Sequence, residues 1–496
     1  MRAAHLLDLA VIAAYLAGIT WFGARFRKSQ HDLKDYFLGG RNTPWWAIAL
    51  SIVSAETSTL TVIGTPALAF AGDFGFLQVV LGYLLARLVI STLFLPQYFR
   101  GEMFTAYELM RRRFGERIRR FTAGTFLILR SLAEGVRVFA LSLIVSIVLA
   151  PLYARIGGSI WAEVGSIFVI VCLTLFYTFE GGLTAVIWTD VVQMFLYVAG
   201  ALASFVVLLH QIRGGWPHAV SAAAAAGKFR VFDFRFSLTA AFFSRPYSFW
   251  AGVIGGCFLT TASHGTEQLM VQRLLAARNE RESRLALFAS WGVIFFQFTL
   301  FLAIGAFLLV WYRDAHVPDP HPADRIYPDF VWNNLPAGVA GLVIAAILAA
   351  GMSNLSAALN ALASTSIMDF YKPMRGAKSI TEARLMTLAR RATVVWAAVL
   401  FVIALLARNV KSVLEAGLSV ASVLYGALLG AFLLGLLTKR VTGNAVMFGM
   451  AASLVSMLCV NRLTHIAFTW YVLVGTTITF VCGLAASLVL PRETAA

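Results

Sequence analysis

The chain is 496 residues long, 59% hydrophobic and only 13% charged, with a mean hydropathy of +0.79. A soluble core needs far less apolar material, so lipid is the solvent for most of the chain and no soluble domain fits between the apolar runs. The net charge of +16 is a matter of position, because 25 Lys and Arg fall in the inside loops and 12 outside when the first span runs inward; the positive-inside bias accounts for it, and nucleic acid is excluded as a partner.

Apolar runs of about 20 residues predict thirteen transmembrane helices. They lie at 6–25, 44–71, 75–98, 120–150, 158–179, 184–209, 247–270, 286–311, 337–368, 389–407, 412–436, 442–461 and 467–489. One Arg precedes the first run and Arg25, Arg27 and Lys28 follow it, the reverse of a secretory signal, which sets the N-terminus outside. The odd count then sets the C-terminus in the cytoplasm, and the expected location is the cell inner (plasma) membrane. Arg111, Arg112, Arg113, Arg117, Arg119 and Arg120 fall between spans, where anionic headgroups attract them. Stretches 210–246 and 312–336, both outside, are expected to be surface helices or lids. Cys172, Cys257, Cys459 and Cys482 stand singly in apolar runs, with no disulfide or metal spacing. Neither a GxxxxGK[ST] loop nor an HExxH or GxSxG motif is present, so no enzyme and no further cofactor is expected, and an ion gradient is the evident energy source.

Two runs carry polar interruptions at matching places, five spans apart: Ser54-Ala55-Glu56-Thr57-Ser58-Thr59 and Thr260-Thr261-Ala262-Ser263-His264-Gly265-Thr266-Glu267-Gln268. Backbone that leaves the helix inside lipid must line a cavity or be buried in protein, so paired breaks point to a transport site. The first offers hydroxyl and main-chain oxygens, the hard ligands an alkali cation prefers; the same hydroxyls can also bond back to their own helix. In the ninth run Ala350, Ser353 and Ala357 share a narrow face with Asn354 nearby, which suits either close helix packing or a cation site. Carboxylates in spans are costly, which makes Glu56, Glu134, Asp190 and Glu267 functional candidates. Glu134 and Arg137, three apart, can also neutralise each other, Asp190 can serve a helix start, and His264 and Glu267 can be interfacial. With Ser58 and Gln78, the residues Glu56, Glu134, Arg137, His264 and Glu267 form a lining able to hold a small zwitterion.

Several segments together resemble the sodium:solute symporter family, which includes sodium/sugar, sodium/proline and sialic acid symporters. They are Asp35-Tyr36-Phe37-Leu38-Gly39-Gly40-Arg41, Gly181-Gly182-Leu183-Thr184-Ala185-Val186-Ile187-Trp188-Thr189-Asp190-Val191-Val192-Gln193, Val271-Gln272-Arg273, Met352 to Asn360, and Met368-Asp369-Phe370-Tyr371. The resemblance implies an all-α integral membrane fold in one transporter domain, 1–496: a five-plus-five inverted repeat, like that of leucine transporters, with broken first and sixth core helices. One extra helix, 6–25, precedes the repeats 44–209 and 247–436, and two helices, 442–489, follow. It further implies a sodium site made of Ser54, Thr57 and Ala350 main-chain oxygens with Ser353 and Asn354 side chains, where Asn354 replaces the usual Ser or Thr. A second sodium, held in some members, would use Ser58, Thr61, Asp190 and Ser356, with Ala357 in place of a neighbouring hydroxyl. Glu56 aligns with a sodium-linked Asp of proline symporters, and Arg137 stands about three positions from the Arg with which sialic acid symporters hold a carboxylate. The implied activity is monomeric secondary symport of sodium with a small polar solute by alternating access. A passive channel or solute sensor of the same fold is the alternative.

Overall fold

The structure, a computed structural model, describes residues 3–24, 41–100, 103, 105–153, 159–319, 323–375, 382–409 and 413–490. The described residues form helices and connections, the one β feature among them being an isolated bridge between Thr43 and Ala277. A bilayer offers no water to backbone groups, and the helix satisfies them within itself.

The main helices are α1 (Ala3–Ala24), α2 (Trp45–Glu56), α3 (Thr59–Ala71), α4 (Leu77–Val89), α5 (Glu116–Tyr153), α6 (Ser159–Gln211), α7 (Phe249–Gly265), α8 (Gln268–Leu275), α9 (Glu280–Ala315), α10 (Val339–Thr365), α11 (Glu382–Leu406), α12 (Val413–Leu437), α13 (Gly443–Leu463) and α14 (Phe468–Val489). Among the described residues nine helices are long and apolar enough to cross a membrane, or ten when the bent pair α2–α3 counts as one span. The remaining expected spans, 6–25, 158–179 and 247–270, correspond to α1, the first part of α6 and α7–α8. These are helical, but their described apolar lengths are shorter: Leu6–Ile19, Val164–Leu175 and the 17 residues of α7.

The most apolar stretch of the α10 span is 94% buried, whereas those of α11 and α14 are 28% buried. The centre of the bundle is therefore α10, whose Ala, Ser and Gly residues let neighbours approach closely, and α11 and α14 turn most of their surface outward. Glycines set the tightest crossings. Gly252 and Gly256, four apart on α7, lie against the backbone of Gln78 and Val79 on α4, where a methyl group would collide. Gly305 on α9 meets the carbonyl of Pro66 on α3 in the same way.

Stretch 210–246 contains a helix over Gly215–Ala225 and a short one over Ala240–Phe243, and Ile326–Asn334 forms a helix in the connection 312–336. The buried Lys228 Nζ donates to the Phe70 and Gly72 carbonyls at 2.7 Å each, a cation closing the C-terminal end of α3. The arginine cluster is not uniformly a headgroup surface. Arg111, Arg112, Arg117 and Arg120 are exposed, but Arg119 is buried, with Nε 2.7 Å from Asp369 Oδ1 and Nη2 donating to the Met368 carbonyl at 2.9 Å. A carboxylate buried at the end of α10 needs a partner, and Arg119 supplies it. Residues 35–40 lie outside the described residues; Arg41 donates to the Met103 carbonyl at 3.4 Å.

Candidate functional site

The first interruption leaves the helix at Thr57 and Ser58, and the helices on either side meet at 61°. Ser58 N–H turns to the Glu56 carbonyl at 3.1 Å rather than to Ser54, which releases the Ser54 carbonyl from the helical ladder. The second interruption is shorter than the polar sequence around it, since α7 continues through Gly265 and only Thr266 and Glu267 depart. The intervening hydroxyls bond back to their own helix: Ser263 Oγ donates to the Thr260 carbonyl at 3.3 Å and Thr266 Oγ1 to the Ala262 carbonyl at 2.7 Å. Tyr98 OH takes up the Gly265 carbonyl exposed at the break.

Four of the five residues expected around sodium, Ser54, Thr57, Ala350 and Asn354, come together. Asn354 on α10 reaches across to the first break, with Nδ2 3.4 Å from the Ser54 carbonyl, 3.4 Å from the Thr57 carbonyl and 3.1 Å from the Ala350 carbonyl. Its Oδ1 is buried with no hydrogen-bond partner. Ser353 Oγ donates to Asp190 Oδ1, which leaves its lone pairs free for a cation. Asp190 is not at a helix start; it sits within α6, wholly buried, and Arg273 Nη2 lies 2.9 Å from its Oδ2 while Ser51 Oγ also donates to that oxygen. Of the remaining second-site residues, Ser356 is buried in α10, while Ser58 and Thr61 line the neighbouring cavity.

That cavity, of about 100 Å³, opens beside the first break and is lined by Glu56, Ser58, Thr61, Arg130, Arg137 and His264, with Glu267, Tyr425 and apolar groups including Phe76 and Phe298. Glu56 has no charged neighbour in sequence, but the fully buried Arg87 of α4 holds its Oε2 at 3.0 Å and His264 Nε2 lies 3.4 Å away. Arg87 is itself fixed by the Leu287 and Tyr83 carbonyls and by Ser290 Oγ. Across the cavity Arg130 bridges two carboxylates, 2.8 Å from Glu134 Oε2 and 3.1 Å from Glu267 Oε1. Tyr425 OH donates to the other oxygen of Glu267, and Arg137 Nη1 lies 3.1 Å from Glu134 Oε2. His264 and Glu267 are 2% exposed, so neither is interfacial. Arg137 is the most accessible of these charges at 22% of its side chain, and its Nε, Glu134 Oε1 and His264 Nε2 have no hydrogen-bond partner.

Glu134 is held by Arg130 and Arg137 and does not itself line the cavity, and Gln78 stands apart from the lining altogether. Its Nε2 donates to the Gly75 and Tyr247 carbonyls at 3.1 and 2.8 Å, and its Oε1 accepts from Asp233 N at 3.1 Å, so its amide ties α4 to the connection that precedes α7. There the hydrogen-bonding Arg235 side chain holds the Asp233 carboxyl down to about 2. Sequence reasoning singled out neither Arg87 and Arg130 nor Arg273 and Tyr425 as site groups. The available signal was that Arg87 and Arg130 are charges inside spans and must be neutralised there.

The family model of the sodium:solute symporter family matches residues 36–452. The chain is 29% identical to the sodium/sialic acid symporter NanT of Aliivibrio fischeri, over 96% of this chain and 92% of that protein. It is 29% identical to the human sodium/iodide cotransporter over 88% of this chain and 66% of that protein. Its fold is similar to the substrate-bound outward-open state of a sodium-coupled sialic acid symporter, with a TM-score of 0.84 and 26% identity over 98% of both chains. Three buried carbonyls gather around the Asn354 amide, next to a polar cavity inside a multi-pass bundle, and the chain belongs to the sodium:solute symporter family.

Proposed function

We propose that the chain carries one sodium ion and one small carboxylate-bearing, zwitterionic solute per cycle, by alternating access about the two helix breaks. Sodium is held by the Ser54, Thr57 and Ala350 carbonyls with Ser353 Oγ and Asn354 Oδ1. A second ion at Ser58, Thr61, Asp190 and Ser356 requires Asp190 to leave Arg273, and Ala357 offers no hydroxyl there, so the reading rests on a single ion. The solute carboxylate meets Arg137, and its amine meets the Glu56 side of the cavity. A cavity of about 100 Å³ is below the range of roughly 300–1,000 Å³ usual for ligand pockets, which favours a solute of few heavy atoms. The supporting observation is Arg137, which lines the cavity with its Nε free of any hydrogen-bond partner, next to the convergence of carbonyls from α2 and α10 on Asn354.

Sodium binding is favourable only where α2 and α10 are docked, so the ion stabilises the state that receives solute, and that differential affinity couples the two. The reading includes thirteen spans with repeats over 44–209 and 247–436, a monomer in the inner membrane with its N-terminus outside, and no cofactor besides the transported ion. Thermal stability of the detergent-purified protein, in sodium and in choline, with a panel of amino acids, monocarboxylates and sugars, tests it. One solute class stabilising the protein only in sodium is the expected result; no response of any kind to sodium overturns the reading.

A further inference from the structure

We infer that Asn354 is a tethered competitor of sodium, its amide nitrogen occupying the point where the ion's carbonyl ligands converge. The inference rests on the sodium site proposed above and deepens it. Nδ2 lies 3.1–3.4 Å from the Ser54, Thr57 and Ala350 carbonyls, three of the five proposed ligands. All three are acceptors, as is Asn354 Oδ1, and four acceptors can face one another only around a cation or a donor. The amide supplies the donor, and its Oδ1 is left buried without a hydrogen-bond partner.

Sodium therefore cannot simply join the carbonyls. The amide must turn about its terminal torsion, which withdraws the N–H donors and swings Oδ1 toward the ion. Such a torsion is broad and roughly two-fold, so the turn is sterically cheap, and its cost is the loss of hydrogen bonds to buried carbonyls. A hydroxyl at this position would offer the ion a ligand without a competing donor of comparable reach. Asn354 thus has two effects. It weakens sodium binding, and it keeps α2 docked against α10 when sodium is scarce, because the amide bridges the same carbonyls.

The test uses the purified full chain, wild type, Asn354→Ser and the near-isosteric Asn354→Asp, titrated with NaCl at constant ionic strength in choline, reading melting temperature and tryptophan fluorescence. Both variants lack the amide donor, so both should melt below wild type in choline and recover on adding sodium. Asn354→Ser should half-saturate at a sodium concentration lower by about fivefold or more. Unchanged or weaker sodium binding in both variants would show that the amide oxygen is an ordinary ligand and overturn the competitor role. Ser353→Ala separates the two readings. If it alters sodium binding while the Asn354 variants do not, the site stands and the competitor falls; if none of the proteins responds to sodium, the site itself falls and the competitor with it.

Discussion

The two helix breaks solve the same problem with different chemistry. At the first, between Glu56 and Thr59, backbone carbonyls are turned toward α10 and met by Asn354, with Ser353 and its partner Asp190 alongside. At the second, around Thr266 and Glu267, main-chain groups are capped by Tyr98 and the cavity receives a charged side chain, Glu267, gripped by Arg130 and Tyr425. On the proposed function, fixed dipoles of modest strength serve a small ion that must bind and leave, and a network of full charges serves a polar solute that needs several directional contacts. Glu56 joins the two regions, since it ends the helix of the first break and faces the histidine of the second.

Arg130→Met should have the largest effect, because Glu134 and Glu267 are 1% and 2% exposed and lose their shared cation. Breaking a buried pair from one side costs about 3–5 kcal/mol, read as a lowered unfolding temperature, and uptake into proteoliposomes should cease. A variant that retains uptake would reduce the second break's charges to scaffolding. Glu56→Gln comes next. It should abolish sodium-driven uptake while costing about 1–3 kcal/mol in stability, as Arg87 keeps its two carbonyl partners. Wild-type uptake there would make the carboxylate purely structural.

Ser353→Ala should leave the protein folded and raise the half-saturating sodium roughly tenfold, equivalent to about 1.4 kcal/mol of lost ligation; an unchanged value removes Ser353 from the ion. The smallest effect is expected from Gln78→Leu, which should lower the melting temperature through lost hydrogen bonds worth about 1–3 kcal/mol. Neither sodium nor solute half-saturation should move, and a shift in solute binding would return Gln78 to the lining.

Much of the first break and of the α10 face beside it was legible because the signals are local. The Ser-Thr run at 54–61 marks a helix under competition from its own side chains, and the small residues at 350–357 mark a face that admits a neighbour closely. The cavity beside the first break was only half legible. Its acids stood out as costly charges in apolar runs, but their partners come from far along the chain: Arg87 lies 31 residues from Glu56, Arg130 137 residues from Glu267, and Tyr425 158. No spacing rule connects such pairs. Gln78 shows the converse error of scale, since a polar residue in a span has more than one way to be satisfied, and its own was the backbone of Asp233 and Tyr247.

The sequence by itself determined that this protein lives in lipid, that it is built of helices, and where two of those helices fail. Transfer to the bilayer is close to a sum over residues, and helix interruption is decided within a turn or two. Only the tertiary structure decided which arginine neutralises which acid and that the Asn354 amide nitrogen faces the carbonyl cage. Electrostatic and hydrogen-bond energies in a buried site depend on distances of a few ångströms between elements, and those distances exist only once the helices have packed.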